Sequence, residues 1–516
     1  MICIRNAKLV DNVSSSSYLA CLILQKRRKG EKDEDSCESG FSNFSDYDVL
    51  KIIKLDEPCD ADFFKRFQHS GDLPLTSAET VDFDGDYLLP SFIDFHCHSE
   101  FLYLRDPTIT IRRDDLIGGE VVGNCGISIY PVSNDGVQRK LLRDNVLSIL
   151  GCWPEGLPEW RGFGQFKRVF DGLPVANHIK FLQGHSALRI AAMGGNANRK
   201  AEKSEIIKMQ RMLDEAMGSG ALGFSTGLYY APCVFADESE ILALLEVVRE
   251  HDGLFAIHRR EEGNGGLAST AEAISYAKKA KVRLQISHLK AIGDSNQNQV
   301  DAILDMIDKA HAEGLDVAFD QYPYVYGSTS LASLLPPQIL SDGESVYKFR
   351  LMNDASYREK TKSLMMNPLG FESIAQLVRH DRIFIQYSDS FGDMIGKSIA
   401  EIASLWNKDS LDAILDIIAR ENGICTMRDL TQSEENLLKI MSHPLSIYCT
   451  DALFAGKIWH DRSRNASRHM LRSYSKQVGI ENLVRRATSR SAERLRLEDK
   501  KKIIEGAVVE LVRFKL

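Results

Sequence analysis

Leu88–Glu100 reads LLPSFIDFHCHSE, and the fold is decided here. The stretch runs from apolar residues into two histidines separated by one residue. Side chains alternate faces along a β-strand, so residues two apart share a face. His96 and His98 therefore point the same way, with Phe92 and Asp94 on their side and Phe95 and Cys97 on the other. Two imidazoles converging at a strand end can hold a divalent metal. A purely structural strand would have to bury both imidazoles without partners, which is costly.

Before this stretch, residues 1–87 form a small β-rich module. Ile2–Ile4, Leu9–Val10, Tyr18–Leu24 and Val49–Ile53 are short β-prone runs. Between them Arg27–Tyr47 is dense in Lys, Glu, Asp, Ser and Gly and cannot bury much surface, so 27–47 is expected to be a polar insertion of open role. After the histidines, short apolar strands alternate with amphipathic helices. Helices are expected at Lys203–Met217, from Asp237 (with Glu240 completing a capping box) to near Gly253, at Ser269–Ala280 and at Asn298–Ala312. Strands are expected at Gly253–His258, Val282–His288 and Leu315–Gln321. This alternation argues for an α/β fold with a parallel sheet, most simply a (β/α)8 barrel over 88–495. Leu334–Arg382 breaks the rhythm and is expected to be a helical insertion, with the barrel resuming at Ile383–Tyr387 and Leu445–Asp451. Ile503–Phe514 reads as two strands around a Gly turn; residues 496–516 are expected to complete the N-terminal module.

The 516 residues exceed one small core, and 44% hydrophobic with 26% charged residues is ordinary for a globular protein. A net charge of −8 gives no reason to expect nucleic-acid binding. No apolar run is long enough to cross a bilayer, and the N-terminus lacks a signal-peptide core. The ten cysteines are scattered without paired spacing, which favours reduced thiols and a cytoplasmic location.

One feature repeats: a strand ending in a residue able to bind metal or move a proton. EVVGNC ends at Cys125, LFAIH at His258, RLQISH at His288 and LSIYCTD at Asp451. With His96 and His98, six such residues lie on five strands. A barrel gathers all strand C-termini around one mouth. Nitrogen, sulfur and oxygen ligands suit zinc better than magnesium or calcium, with one tight site per chain expected. Zinc makes water nucleophilic near neutral pH, and Asp451 is the natural carboxylate to take the proton and deliver it to a leaving amine; its alternative role is a helix N-cap. Lys290 and Arg462 fall on the same faces and suit a substrate carboxylate, or else are solvated surface cations. Tyr322 and Ser330 offer hydroxyl donors, and His185 reads as a structural histidine.

FIDFHCH, VVGNCG, GHSALR, GALGFSTGLYYAP, the AIHRREEG run, QISHLKA, DQYPY with GSTSL, and ATSRSAERL with EGAVVEL follow one another from Tyr87 to Leu511. In these motifs the chain resembles the amidohydrolase superfamily and, within it, the D-aminoacylases (N-acyl-D-amino-acid deacylases). The resemblance implies a distorted (β/α)8 barrel with a small β-sandwich built from both chain ends. It implies a main zinc on Cys125, His258 and His288, and a second, weaker metal position on His96, His98 and Asp451. It implies Asp451 as general base and acid, Lys290, Tyr322 and Arg462 on the substrate α-carboxylate, and an N-acyl amino acid as the small-molecule partner.

Departures from the family pattern cluster near the substrate. Pro90-Ser91 replaces Pro-Gly, Thr450-Asp451-Ala452 replaces Ser-Asp-Gly, and His460-Asp461-Arg462 replaces His-Pro-Arg. The run Asn465–His469 also differs from the family's Gly-Thr-Phe-Pro-Arg. The ligand set is complete, so the expected activity is zinc-dependent hydrolysis of the amide of N-acyl-D-amino acids. The alternatives are a cyclic amide hydrolase of the dihydropyrimidinase or dihydroorotase type, where Cys125 would stand in place of a modified lysine, and a silent barrel scaffold. Side-chain preference, the number of working metals and oligomeric state are not encoded in these motifs.

Overall fold

The structure is a computed structural model. It describes residues 1–26, 46–60, 63–64, 79–150, 153, 156–194, 198–497, 502–505 and 508–516. All but the last two residues of the expected insertion Arg27–Tyr47 lie outside the described residues. The chain divides into two compact units, residues 1–94, 110–120 and 467–516 in one, and residues 95–109 and 121–466 in the other.

Strands β1 (Ile2–Leu9), β2 (Tyr18–Lys26), β3 (Asp46–Lys54), β4 (Glu79–Asp82), β5 (Tyr87–Pro90) and β17 (Val508–Phe514) form a six-stranded sheet ordered β2-β3-β17-β5-β1-β4. Because β2 also pairs with β1, five of these strands close on themselves. Alternation then sorts the side chains: Ile2, Ile4, Leu22, Leu24 and Leu511 pack on one side, Cys3, Cys21 and Ile23 on the other. The C-terminal stretch supplies one strand rather than two. It pairs antiparallel with both β3 and β5, so the chain's two ends build one small β domain.

The second sheet is the barrel. It contains β6 (Phe92–Asp94), β7 (Ile117–Val122), β8 (His178–Gly184), β9 (Gly223–Gly227), β10 (Leu254–His258), β11 (Arg283–Ile286), β12 (Val317–Gln321) and β16 (Ser446–Tyr448), ordered β16-β12-β11-β10-β9-β8-β7-β6. Its registered pairs are parallel. Backbone bonds just past the strands close the ring: Phe95 N–H donates to Tyr448 O at 3.1 Å, Asp451 N–H to His96 O at 2.8 Å and His98 N–H to Ala452 O at 3.0 Å. Helices Lys203–Gly218, Glu238–Glu250, Gly266–Ala280 and Gln299–Ala312 connect successive strands, as the apolar periodicity predicts. Only half of the capping box at Asp237 forms. Its side chain accepts from Glu240 N–H, while the Glu240 carboxylate turns inward to His185 and Arg189.

Between β12 and β16 the barrel gives way to a long insertion. It holds β13 (Tyr326–Ser330), β14 (Ile383–Ser388) and β15 (Cys425–Leu430) in an antiparallel sheet ordered β13-β15-β14. Ile383–Tyr387 therefore does not resume the barrel. It pairs with Thr426–Asp429 across the insertion's own sheet. A β-prone run carries no mark of its non-local partner, and that partner decides which sheet it joins. Helices Glu344–Asn353, Ala355–Met366, Ile399–Leu405 and Ser410–Arg420 surround this sheet, with a separate apolar core that includes Leu334, Leu351, Ile385, Ile414 and Met427.

Two local contacts set the geometry of the barrel mouth. Gly123 has φ +80°, and a Cβ there would sit 2.3 Å from Leu182 O. Only glycine fits both constraints. In the insertion, Glu372 accepts hydrogen bonds from Glu262 N–H (2.8 Å) and Gly263 N–H (2.6 Å), fixing the loop after β10. Burial pushes the Glu372 carboxyl up to about 7, against the pull of those two N–H groups.

Replacing Gly123 with Ala is expected to destabilise the protein by about 2 kcal/mol or more, through a strained φ and a backbone clash, seen as a lower melting temperature. Glu372 predicts a pH effect. Its folded pKa lies above the ordinary 4.5, so between the two values the native state binds the extra proton and stability falls as pH rises. Relative to Glu372→Gln, the wild type should lose up to roughly 3 kcal/mol as pH climbs from about 4.5 to about 7. Melting curves of both proteins across that range check this; a gap independent of pH would contradict it.

Candidate metal centre and active site

The barrel delivers each expected ligand to one end of its strands. His258 is the last residue of β10, and His288 lies two residues past β11. Cys125 follows β7 in the turn Gly-Asn-Cys-Gly, and Asp451 follows β16. His96 and His98 sit just beyond β6 rather than within it, because the strand stops at Asp94. Asp94 does not join them: it forms a buried ion pair with Arg112. Cys125, His288 and Asp451 all adopt positive φ, at +54°, +33° and +48°. Such conformations cost non-glycine residues free energy and gather where the surroundings over-determine a functional geometry.

The Cys125 sulfur is the hub. His96 Nε2 lies 3.3 Å from it, His288 Nε2 3.5 Å and His258 Nδ1 3.7 Å. Sulfur and nitrogen ligands of one tetrahedral zinc, at ordinary bond lengths, stand about 3.5 Å apart. Two overlapping triads result, Cys125 with His258 and His288, and Cys125 with His96 and His98, all buried. Asp451 Oδ1 lies 3.6 Å from both His96 Nε2 and His98 Nε2. The donor set and spacing fit a divalent metal. So does the charge: burial opposes the thiolate, yet His96, His258 and His288 outweigh it and hold Cys125 well below the usual thiol range. A thiolate that must be balanced by imidazolium is one that a cation can balance instead.

Two carboxylates behind the ligands were not anticipated as site residues. Glu262 lies 3.3 Å from His288 Nδ1 and 3.6 Å from His258 Nε2, and it pairs with Lys290 Nζ at 2.6 Å. Asp320 lies 3.3 Å from His96 Nδ1 and accepts the His288 backbone N–H at 2.8 Å. Carboxylates of this kind fix the orientation and tautomer of ligating histidines. Asp320 carries the same signal as the ligands, since it sits near the C-terminal end of β12, and Glu262 stands four residues past His258.

A small cavity of about 50 Å³, open to solvent, adjoins this cluster. Its lining includes Tyr229, Tyr230, Lys290, Tyr322, Asp429, Asp451 and Arg462. Arg462 Nη1 pairs with Asp451 Oδ2 at 3.0 Å, its other Nη donates to Ser328 O at 2.8 Å, and its guanidinium lies 5.0 Å from the Tyr322 ring centre. Burial opposes the Asp451 charge, but Arg462 and the surrounding histidines hold its carboxyl well below the usual range. Burial keeps the Tyr322 phenol neutral, raising its pKa well above the ordinary value. Ser330 is not brought into this cavity. It caps the short helix Leu331–Leu334 by accepting from Ala332 N–H, and it lines a neighbouring cavity. His185 is wholly buried between Thr226 Oγ1 (2.9 Å) and Glu240 Oε1 (2.8 Å), in a structural role.

Comparison with protein-family models found no match. Among curated proteins, the chain is 34% identical over 262 residues to a D-aminoacylase of Alcaligenes xylosoxydans xylosoxydans, a match covering 51% of this chain and 52% of that protein. It thus spans about half the length of that relative. It is 28% identical over 458 residues to an N-acyl-D-glutamate deacylase of the same organism, covering 87% of this chain and 82% of that protein. Among solved structures it superposes on N-acyl-D-glutamate deacylase from Bordetella bronchiseptica, complexed with zinc and a phosphonate inhibitor, with TM-score 0.74 and 22% identity over 99% of this chain and 89% of that one. A D-aminoacylase structure superposes with TM-score 0.73 at 22% identity, with the same coverage. The chain is thus similar in sequence to a D-aminoacylase and an N-acyl-D-glutamate deacylase, and it shares the fold of their solved counterparts.

Proposed function

We propose that this protein is a zinc-dependent hydrolase that cleaves the amide of N-acyl-D-amino acids, releasing a carboxylate and a free D-amino acid. The observation that carries this reading is the set of three imidazole nitrogens 3.3–3.7 Å from the Cys125 sulfur, opening onto a cavity lined by Asp451, Lys290 and Arg462. The named relatives, D-aminoacylase and N-acyl-D-glutamate deacylase, support the substrate class.

In this reading Cys125, His258 and His288 hold the main metal, and His96, His98 and Asp451 form a second, weaker position. Zinc bound there polarises the scissile carbonyl and lowers the pKa of water. The protein's own residues do the rest. Asp451 is ionised at neutral pH, so it accepts a proton from the attacking water and passes it to the leaving amine. Arg462 orients Asp451 through their ion pair. Lys290, Tyr322 and Arg462 receive the α-carboxylate: two cations, and a phenol that stays protonated. Glu262 and Asp320 keep the ligating imidazoles aimed at the centre.

A screen of N-acetyl-D- and N-acetyl-L-amino acids, scored for released amine, is expected to find turnover in the D-series. Turnover of only L-substrates or only cyclic amides would overturn the reading. Asp451→Asn should lower kcat on the order of a thousandfold while elemental analysis still finds zinc. Cys125→Ala should lose most of the bound zinc. Full activity in either variant would remove the role assigned to that residue.

A further inference from the structure

Asp429 lies on β15, in register opposite Gly327 of β13. Cross-strand partners share a face. A Cβ on Gly327 would come within 2.6 Å of Asp429 Oδ1, so the missing side chain makes room for the carboxylate. Asp429 is 3% exposed and lines the cavity with Gly327 and Thr431. Apart from its own backbone N–H, no described residue donates a hydrogen bond to it. Thr431 Oγ1 is buried and equally without a partner among the described residues. Buried polar groups are normally paired, and a lone buried carboxylate is among the costliest exceptions. Two such groups on one cavity wall are groups that a ligand completes.

The charges indicate which ligand. Lys290 is already matched by Glu262 at 2.6 Å and Arg462 by Asp451 at 3.0 Å. Among the described residues, the cavity's lining holds no further lysine or arginine. A single α-carboxylate uses the donors that these two cations have left. A second carboxylate on the substrate would find only Asp429 and the hydroxyls. Asp429 lines the same cavity as Lys290 and Arg462, so with those two cations on the α-carboxylate, as proposed above, it would stand beside the amino-acid half of the substrate.

We propose that Asp429, with Thr431 beside it, sets the substrate preference: the cavity takes N-acyl-D-amino acids whose side chain ends in a hydrogen-bond donor and turns away those carrying a second carboxylate. This rests on the deacylase reading above and narrows it.

The test uses an isosteric pair, N-acetyl-D-glutamine and N-acetyl-D-glutamate, on the zinc-loaded protein. The wild type should favour the glutamine substrate in kcat/KM. Asp429→Asn should shrink that preference on the order of tenfold, since it removes one like-charge contact. Asp429→Ser guards against a defect peculiar to the amide. Calorimetric binding of the same pair gives the ratio without turnover. A preference unmoved in both variants, or a wild type favouring glutamate, overturns the proposal. Failure to bind or cleave the glutamine compound while other N-acyl-D-amino acids turn over does so too. If no N-acyl-D-amino acid is hydrolysed, the deacylase reading fails instead, and the binding ratio alone decides the role of Asp429.

Discussion

The structure depends on placing a thiolate where water cannot solvate it. Cys125 is 4% exposed, and an uncompensated anion in that position would take up a proton. Three imidazole nitrogens within 3.7 Å prevent this. Bringing them there dictates much of the barrel mouth, because the histidines come from three different strands. The backbone is bent accordingly, and Cys125, His288 and Asp451 each hold a left-handed conformation that costs on the order of 1–3 kcal/mol. Two of these bends are pinned by the same groups that need them. His288 donates its N–H to Asp320, and Asp451 donates its N–H to His96 O, a bond that also closes the ring of strands.

The next layer outward answers the charge of the first. Glu262 and Asp320 face the outer nitrogens of the clustered histidines, and both are buried. Lys290 neutralises Glu262, while Gln285 donates to Asp320 at 2.7 Å. Glu372, supplied by the insertion, then holds the loop that carries Glu262 through two backbone bonds. The insertion is therefore part of what keeps the ligands aimed, and its own apolar core gives that support rigidity.

The cluster around Cys125 was legible in the sequence for a physical reason. A (β/α)8 barrel sends functional residues to strand C-termini, so short apolar runs ending in Cys, His or Asp can be read without knowing how the strands pair. The same rule reaches Asp320, the last residue but one of its strand, in the Asp-Gln-Tyr run. What could not be read was pairing across distance. Ile383–Tyr387 looks like a barrel strand because nothing in five β-prone residues names Thr426–Asp429 as its neighbour. Ser330 reads in the sequence as a hydroxyl donor, and sequence does not reveal that its oxygen also caps Leu331–Leu334. Asp429 carries no sequence signal at all. Its place in the cavity follows from a register with Gly327, about a hundred residues earlier in the chain.

That register separates two tasks within one cavity. The groups suited to the chemistry stand on barrel strands or the turns just past them, where a shift in one strand is resisted by its parallel neighbours. The groups lining the cavity from the other side, Gly327, Thr329, Asp429 and Thr431, stand on or beside a small antiparallel sheet with its own core. Substitution in that sheet can alter the charge and shape of the wall without moving Cys125, His258 or His288. Arg462 is one of the residues that tie the two together, beside Glu372 and Gln432. It pairs with Asp451 on the barrel side and donates to Ser328 O on the insertion side. A change in the wall can therefore reach Asp451 through the position of this guanidinium, while Cys125, His258 and His288 stand on the barrel side.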